Sequence, residues 1–364
     1  MVGMLDIFRL AMITLSSMQT HTSPLTSGIG RLTRRVTAIM LGLTLAASAC
    51  SSSSSDTVTI YSGRTENLIA PILEDFSAET GIDVEVRYDD SANLALLIEE
   101  EGDQSPADVF LSQSPGAVDF LDAAGRLEPL SDDVLNLVDA SVRDDDGMWV
   151  GFSGRQRVMV YNEGLVAPGE LPGSVFDLTD PAWNGRLGIA PANGSFQDFV
   201  TGMRSAVGDD ATLAWLEGLV ANDVQSYANN GAIVAAVGRG EVDAGLVNHY
   251  YNYRALDEDP SHPGLNHQFA TDDPGSLLIV TGAAIINGTD NQDGAEQLIS
   301  WLLAEDAQRY FADETFEYPL ANGVEPAQNL PEAQFTAVGG IDLTSLSGGL
   351  EGTRALIAAA GLDG

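Results

Sequence analysis

The sequence predicts an α/β protein of two lobes, and three observations lead there. Short apolar runs alternate with helical stripes from Val58 to Gly125, the pattern of a parallel sheet with helices on its faces. Near Trp149 the alternation gives way to long strand-like runs at 150–160 and again at 275–286, which read as the places where two such lobes are joined. A length of 364 residues is also more than one hydrophobic core ordinarily organises.

The elements follow in order. Val58-Thr59-Ile60-Tyr61 is a β-branched run ended by Ser62-Gly63. From Asn67 the apolar residues fall at Leu68, Ile69, Ile72, Leu73 and Phe76, the spacing of a helix face. Gly81 stops that helix, and Ile82 to Val86 alternates as a strand. Leu94 to Ile98 begins a second helix, Ala107 to Leu111 is a third strand, and Ala117 to Ala124 is a helix ending at Gly125. Val150 to Tyr161 is extended and carries Arg155 and Arg157; Arg186 to Ala190 is a strand. Helical stripes cover Phe196 to Val207 and Ala211 to Val220, Ile233 to Val237 is a short helix, and Ala244 to Val247 a strand. Leu277 to Ile286 is a long apolar strand, and Ala295 to Phe311 reads as one long amphipathic helix.

The N-terminal segment reads as a leader rather than as part of the fold. Arg31, Arg34 and Arg35 precede an uncharged run from Val36 to Ala49, closed by Ala47-Ser48-Ala49-Cys50. A basic region, an apolar stretch and small residues at a cleavage point make a secretory signal. The run would span about 21 Å as a helix, short of the roughly 30 Å bilayer core. The small-residue site abuts Cys50, the single cysteine, and Ser51 to Ser55 follow. This resembles the lipobox of bacterial lipoproteins, in which the cysteine is lipidated, although Ala47 stands where leucine is commoner. An ordinary signal peptide with Cys50 incidental is the alternative. Residues before Arg31 read as an overlong start, residues 1–49 as the signal, and 50–56 as lipidated cysteine and flexible tether. Thr33-Arg34-Arg35 does not suffice to name the export route.

Composition narrows the function classes. All 16 basic residues are arginine, against 53 acidic ones, for a net charge of −37. From Cys50 onward 12 arginines face 52 acids, a net −40, which would repel a phosphate backbone and excludes nucleic-acid binding as a main role. One cysteine makes neither an internal disulfide nor a thiolate zinc site. There is no His-Glu-x-x-His, no Gly-x-Ser-x-Gly, and no lysine for a P-loop. Gly238-Arg239-Gly240 lacks the third glycine of a dinucleotide fingerprint and reads as a helix-ending turn. His249, His262 and His267 fall in one region; they are either a metal cluster or exposed loop histidines. Acidic pairs are too numerous to single out a glycosidase pair.

Asn248-His249-Tyr250-Tyr251-Asn252-Tyr253 follows the strand Ala244 to Val247. Tyrosine is ordinarily amphipathic packing, so an aromatic patch at a domain edge is one reading. Adjacent side chains on a strand point to opposite faces, so both hydroxyls reach one point only if the chain turns just past the strand. Strand carboxyl ends are where open α/β sheets bind ligands. A phenol titrates near pH 10, and a trivalent hard cation is the partner that stabilises phenolate at neutral pH. Residue chemistry leaves both readings open.

A resemblance adds to this. Thr57 to Arg64, Ser105 to Phe110, Ser153 to Val158, Asn230 to Val237, Gly240 to Asp243, Asn248 to Tyr251 and Glu317 to Leu320 stand in an order and spacing similar to the ferric-iron-binding proteins of bacterial ABC importers, the "bacterial transferrins" of the type II extracellular solute-binding fold. The similarity runs from Thr57 to about Leu362. It implies an N-terminal lobe of 57–154 with 279–330 and a C-terminal lobe of 155–278 with 331–364. Each lobe would be a mostly parallel sheet flanked by helices, with a hinge of two crossing strands.

The resemblance further implies Fe3+ as the transported ligand, held by Tyr250 and Tyr251, with carbonate or phosphate as synergistic anion. It matches Asn193-Gly194-Ser195 to the anion loop, Asn230 and Asn248 to polar residues near the anion, and Arg155 to a cleft arginine, with Arg64 also facing the cleft. The loop has an independent reason, since it precedes the Phe196 helix and free N–H groups there favour an anion. Thr65, Gln113 and Phe196 stand where family members place histidine, glutamate and a third tyrosine. Gln113 is therefore expected to coordinate weakly or to hydrogen-bond a bound water. Two phenolates leave iron(III) one positive charge, which an anion must cover. The implied role is a monomeric binding protein, not an enzyme, lipid-anchored at the outer face of the cell membrane and delivering to a permease with a cytoplasmic ATPase. The alternatives are the same fold with an oxyanion or small organic ligand, and an extracellular hydrolase.

Overall fold

A computed structural model describes residues 57–327, Leu330 and 349–362. The leader, Cys50, the serine tether and residues 331–348 lie outside the described residues. Three parallel strands open the fold: β1 (Thr57–Ser62) lies between β2 (Asp83–Tyr88) and β3 (Val109–Ser112). Helices α1 (Glu66–Thr80), α2 (Ser91–Glu101) and α3 (Pro115–Ala123) connect and cover them. Helix α1 presents Leu68, Ile69, Ile72, Leu73 and Phe76 to the interior and ends at Gly81, whose φ of 75° only glycine adopts freely. Short elements β4 (Leu127–Glu128) and α4 (Asp132–Leu135) lead to β5 (Val150–Asn162), every residue of which is buried.

The second half repeats the layering. Strand β6 (Leu187–Ile189) runs parallel to β7 (Gln225–Ser226) and β8 (Ala244–Asn248), with helices α5 (Gly194–Val207), α6 (Asp209–Ala221) and α7 (Asn230–Arg239) between them. Helix α7 ends at Gly240, so Gly238-Arg239-Gly240 is a helix end and turn, as the missing third glycine indicated. After α8 (Tyr250–Glu258) and β9 (Gly264–His267) comes β10 (Leu278–Ile286). Strand β10 runs antiparallel to both β3 and β5, and β5 antiparallel to β8 and β9. These two long strands tie the halves into the order β2-β1-β3-β10-β5-β8-β6-β7. The pairs within each half are largely parallel; the strands crossing between halves are antiparallel.

Two main cores flank the crossing strands. The first gathers Ile60, Phe76, Phe110, Trp149 and Phe311; the second gathers Met159, Phe196, Phe199, Trp215 and Ile357. A smaller cluster packs Ile233, Val234 and Val237 of α7 against Val158, Val160 and Val247.

The helix expected over Ala295 to Phe311 is instead two, α9 (Gln292–Leu302) and α10 (Glu305–Asp313), before β11 (Tyr318–Pro319) and α11 (Leu350–Ala359). Ala304 is extended at ψ 156°. No proline or glycine signals this break. It is fixed by the buried Gln308, whose amide donates to Leu302 and Phe152 carbonyls and accepts from the Leu320 and Ala321 N–H groups. A tertiary hydrogen-bond set overrides the helical periodicity.

Candidate metal and anion site

The chain does turn just past β8. Helix α8 begins at Tyr250, so the two tyrosines share its first turn rather than opposite faces of a strand. Their rings stack, with centroids 4.4 Å apart and planes 26° apart. Tyr250 is buried and Tyr251 partly so. Burial, then the neighbouring Tyr251, pushes the Tyr250 phenol well above its ordinary pKa, so it is neutral unless a cation displaces the proton.

His249 anchors this turn. It is buried, which corrects the expectation of an exposed loop histidine, and its Nδ1 accepts the Gln156 N–H at 3.1 Å. Burial pushes its pKa down to about 4, so the ring is neutral. His267 bonds the Pro172 carbonyl through Nε2 at 2.7 Å. Among the described residues no three His, Cys, Asp or Glu side chains gather into a metal cluster. A metal here would rest on phenolate oxygen.

Beside the tyrosines lies a polar network centred on Arg157. Its Nη1 donates to Asn248 Oδ1 at 2.8 Å and Asn230 Oδ1 at 3.3 Å. Asn248 Nδ2 donates to Ser195 Oγ at 3.1 Å, and Asn230 Nδ2 to Asn193 Oδ1 at 3.0 Å. Four of the residues matched to anion binding are thus held in one network at the start of α5. Asn193 is the N-cap residue of α5, but its side chain makes no cap bond, so it does not close the helix N-terminus. Gly194 is exposed in that first turn.

Arg155 lies two residues before Arg157 on β5, on the same face of the strand. Its Nη1 donates to Gln113 Oε1 at 2.9 Å, so the oxygen that Gln113 would offer a metal is engaged by Arg155. Both arginines are buried, and Nε and Nη2 of each have no hydrogen-bond partner among the described residues. Burial and the like charge of Arg155 press the Arg157 pKa down to about 9, which still leaves it charged at neutral pH.

Arg64 is placed differently from the expectation that it faces the cleft with an anion. It is 1% exposed, and Nη2 pairs with Glu317 Oε2 at 2.6 Å while Nη1 reaches Glu317 Oε1, Ser153 and Thr281. Its charge is satisfied inside the first half. Burial presses the Glu317 pKa upward, but the charge and hydrogen bonds of Arg64 outweigh it and the net shift is downward.

Sequence reasoning assigned no role to Arg157, Glu317 or Asp198. Arg157 was discoverable from the period-two spacing to Arg155, and Asp198 from its place one helical turn after Gly194. Asp198 is partly buried. Burial raises its pKa to about 6, against the lowering pull of Arg155, Ser114 and Arg157. The Glu317 signal is absent from local pattern, because its partner is 253 residues away.

Residues 104–342 match the family described as "Bacterial extracellular solute-binding protein". The chain is 32% identical over 292 residues to an "Fe(3+)-binding periplasmic protein" of Serratia marcescens, covering 78% of this chain and 84% of that protein. It is 33% identical over 331 residues to the "Major ferric iron-binding protein" of Neisseria meningitidis, covering 88% and 98%. Its structure superposes on that of iron-bound HitA from Pseudomonas aeruginosa with a TM-score of 0.79 at 32% identity, covering 84% of this chain and 99% of that one.

Proposed function

The chain belongs to the bacterial extracellular solute-binding proteins, and from that premise we propose that it is the ferric-iron receptor of an ABC importer. It is a binding protein rather than an enzyme. The stacked tyrosine pair at the start of α8 is the observation that carries the reading. Two hydroxyls in one helical turn beside a network of anion-type donors offer Fe3+ two phenolates, and iron binding drives off their protons.

Two phenolates leave one charge on the metal. Carbonate or phosphate covers it, held by Asn193, Gly194, Ser195, Asn230, Asn248 and Arg155, with Arg157 fixing the asparagines in place. Gln113 sits at the rim through its bond to Arg155 and completes the shell through a water. Arg64 takes no part in the anion site, because Glu317 neutralises it. The two cores on either side of β5 and β10 support a division into 57–154 with 279–330 and 155–278 with 331–364, closing on the ligand by hinge motion. The receptor then delivers iron to a permease driven by a cytoplasmic ATPase. Cys50 carries a lipid that holds the monomer at the outer face of the membrane, the serine tether supplying reach; the described residues contain no helix long and apolar enough to cross a membrane.

Replacing both Tyr250 and Tyr251 with phenylalanine abolishes iron uptake from a citrate competitor while leaving the thermal midpoint within a few degrees. Unchanged iron affinity in that variant contradicts the assignment. A second reading, an oxyanion as the ligand in its own right, is favoured by the unpaired donors of Arg155 and Arg157; it predicts stoichiometric phosphate binding with no visible band.

A further inference from the structure

Strand β8 stops and helix α8 starts within two residues, without the residues that ordinarily make such a turn. Asn248 ends the strand and Tyr250 begins the helix. His249 between them is already helical, at φ −51° and ψ −40°, and its side chain caps nothing. An N-cap is ordinarily an extended Ser, Thr, Asp or Asn, and neither glycine nor proline occurs from Leu246 to Ala255.

The ladder between β5 and β8 accounts for the turn. Its register pairs Val158 with Val247 and Arg157 with Asn248, so Gln156 and His249 come next. In an antiparallel ladder a hydrogen-bonded pair exchanges two bonds, each N–H to the other's carbonyl. Half of that exchange is present, since the His249 N–H donates to the Gln156 carbonyl at 3.0 Å. The other half is altered. The Gln156 N–H donates to His249 Nδ1 at 3.1 Å, and the His249 carbonyl accepts instead from Asn266 Nδ2 at 2.8 Å. The imidazole nitrogen stands in for the carbonyl of its own residue.

We propose that His249 is the positioning residue of the tyrosine pair: its Nδ1 takes over the last ladder bond, so that the chain enters α8 with the Gln156 N–H still satisfied. This deepens the iron-receptor reading and rests on it for the identity of the metal. In a continued strand Tyr250 and Tyr251 would point to opposite faces; in a helix successive residues diverge by only about 100°, and the two rings stack 4.4 Å apart. The ring that supplies the nitrogen is itself fixed. His249 is 2% exposed, lies against the Tyr318 ring at 4.7 Å and meets Tyr250 edge-on at 5.9 Å. An Nδ1 that accepts holds a lone pair, so the neutral ring carries its proton on Nε2. A buried N–H without an acceptor is costly. Without the nitrogen, the Gln156 N–H would favour the continued strand, in which the tyrosines part.

Asparagine places Oδ1 where imidazole places Nδ1. Glutamine places its oxygen one bond farther out, and phenylalanine keeps a ring against Tyr318 with no acceptor. In the full chain titrated with chelated Fe3+, His249→Phe and His249→Gln should each lose about tenfold or more in iron affinity, with a weakened or shifted phenolate-to-iron band. His249→Asn should stay within about threefold of wild type. A packing role alone reverses this order, because phenylalanine keeps the ring contact and asparagine loses it; that reversal, or equal affinities in all three variants, overturns the proposal. Should His249→Phe not fold, asparagine against glutamine still decides, and equal affinities there overturn it. Independently of iron, the nitrogen-15 spectrum of the iron-free chain at neutral pH should show His249 Nδ1 unprotonated and Nε2 protonated. A protonated Nδ1 overturns the proposal whatever the metal does. A wild-type chain with the expected tautomer but no iron band would defeat the iron reading, while the tautomer still supports the turn.

Discussion

Arg64 and Glu317 show how little a residue's neighbourhood in sequence says about its partner. The pair is buried on both sides, with the Arg64 guanidinium also 5.6 Å from the Phe152 and Phe311 rings. Breaking one side of such a pair leaves an uncompensated charge. Glu317→Gln is therefore expected to cost about 3–5 kcal/mol, read by urea denaturation at neutral pH. The sign of the pH dependence follows from the depressed native pKa. The pair's contribution is full above 4.5, the ordinary glutamate value, and is withdrawn as pH falls through the lower native value. The stability gap between wild type and Glu317→Gln should narrow in acid; a constant gap contradicts the pairing as the source. Arg64 itself is legible as a residue near the first strand–helix turn, but its role depends on a contact spanning nearly the whole chain.

Among the elements, those with strong period survive intact and those settled by long-range contacts do not. Helix α1 and its Gly81 stop follow directly from the apolar spacing. The break between α9 and α10 has no local cause and depends on Gln308 reaching Phe152 on β5 and the residues after β11. Helix α8 is hard to see in sequence because its first turn is four polar-aromatic residues directly after a strand, with no cap residue at His249. Close packing of α7 on β8 depends on Gly245, where an added Cβ would lie 2.2 Å from Ile233 Cγ2 and 3.0 Å from the Gly188 carbonyl oxygen. Gly245→Ala is expected to destabilise by about 1–3 kcal/mol. Since β8 carries the tyrosine turn, the iron band should also shift or weaken; a variant unchanged in both respects would show the strand free to move away.

At the scale of the molecule, the two-unit reading rested on alternation and length, and the long runs at 150–160 and 275–286 are where β5 and β10 cross between the halves. The tyrosine pair and the anion loop were visible as motifs because they are local. The buried arginine network was not, since Arg155 meets Gln113, and Arg157 meets Asn230 and Asn248, only once the chain is folded. The heavy negative charge gives a competing explanation for any cation binding, namely nonspecific attraction by the acidic surface. Salt separates the two, because exposed charges are screened within about 8–10 Å at 0.1–0.15 M ionic strength, whereas a coordinated ion is not released.

The most direct measurement is an absorption titration of the protein from Ser51 onward with chelated Fe3+, with and without bicarbonate, at low and high salt. The account predicts a red-orange phenolate-to-iron band that saturates at one iron per chain, strengthens with bicarbonate and persists in high salt. No band under any of these conditions would contradict tyrosinate coordination, and with it the assignment of iron as the ligand.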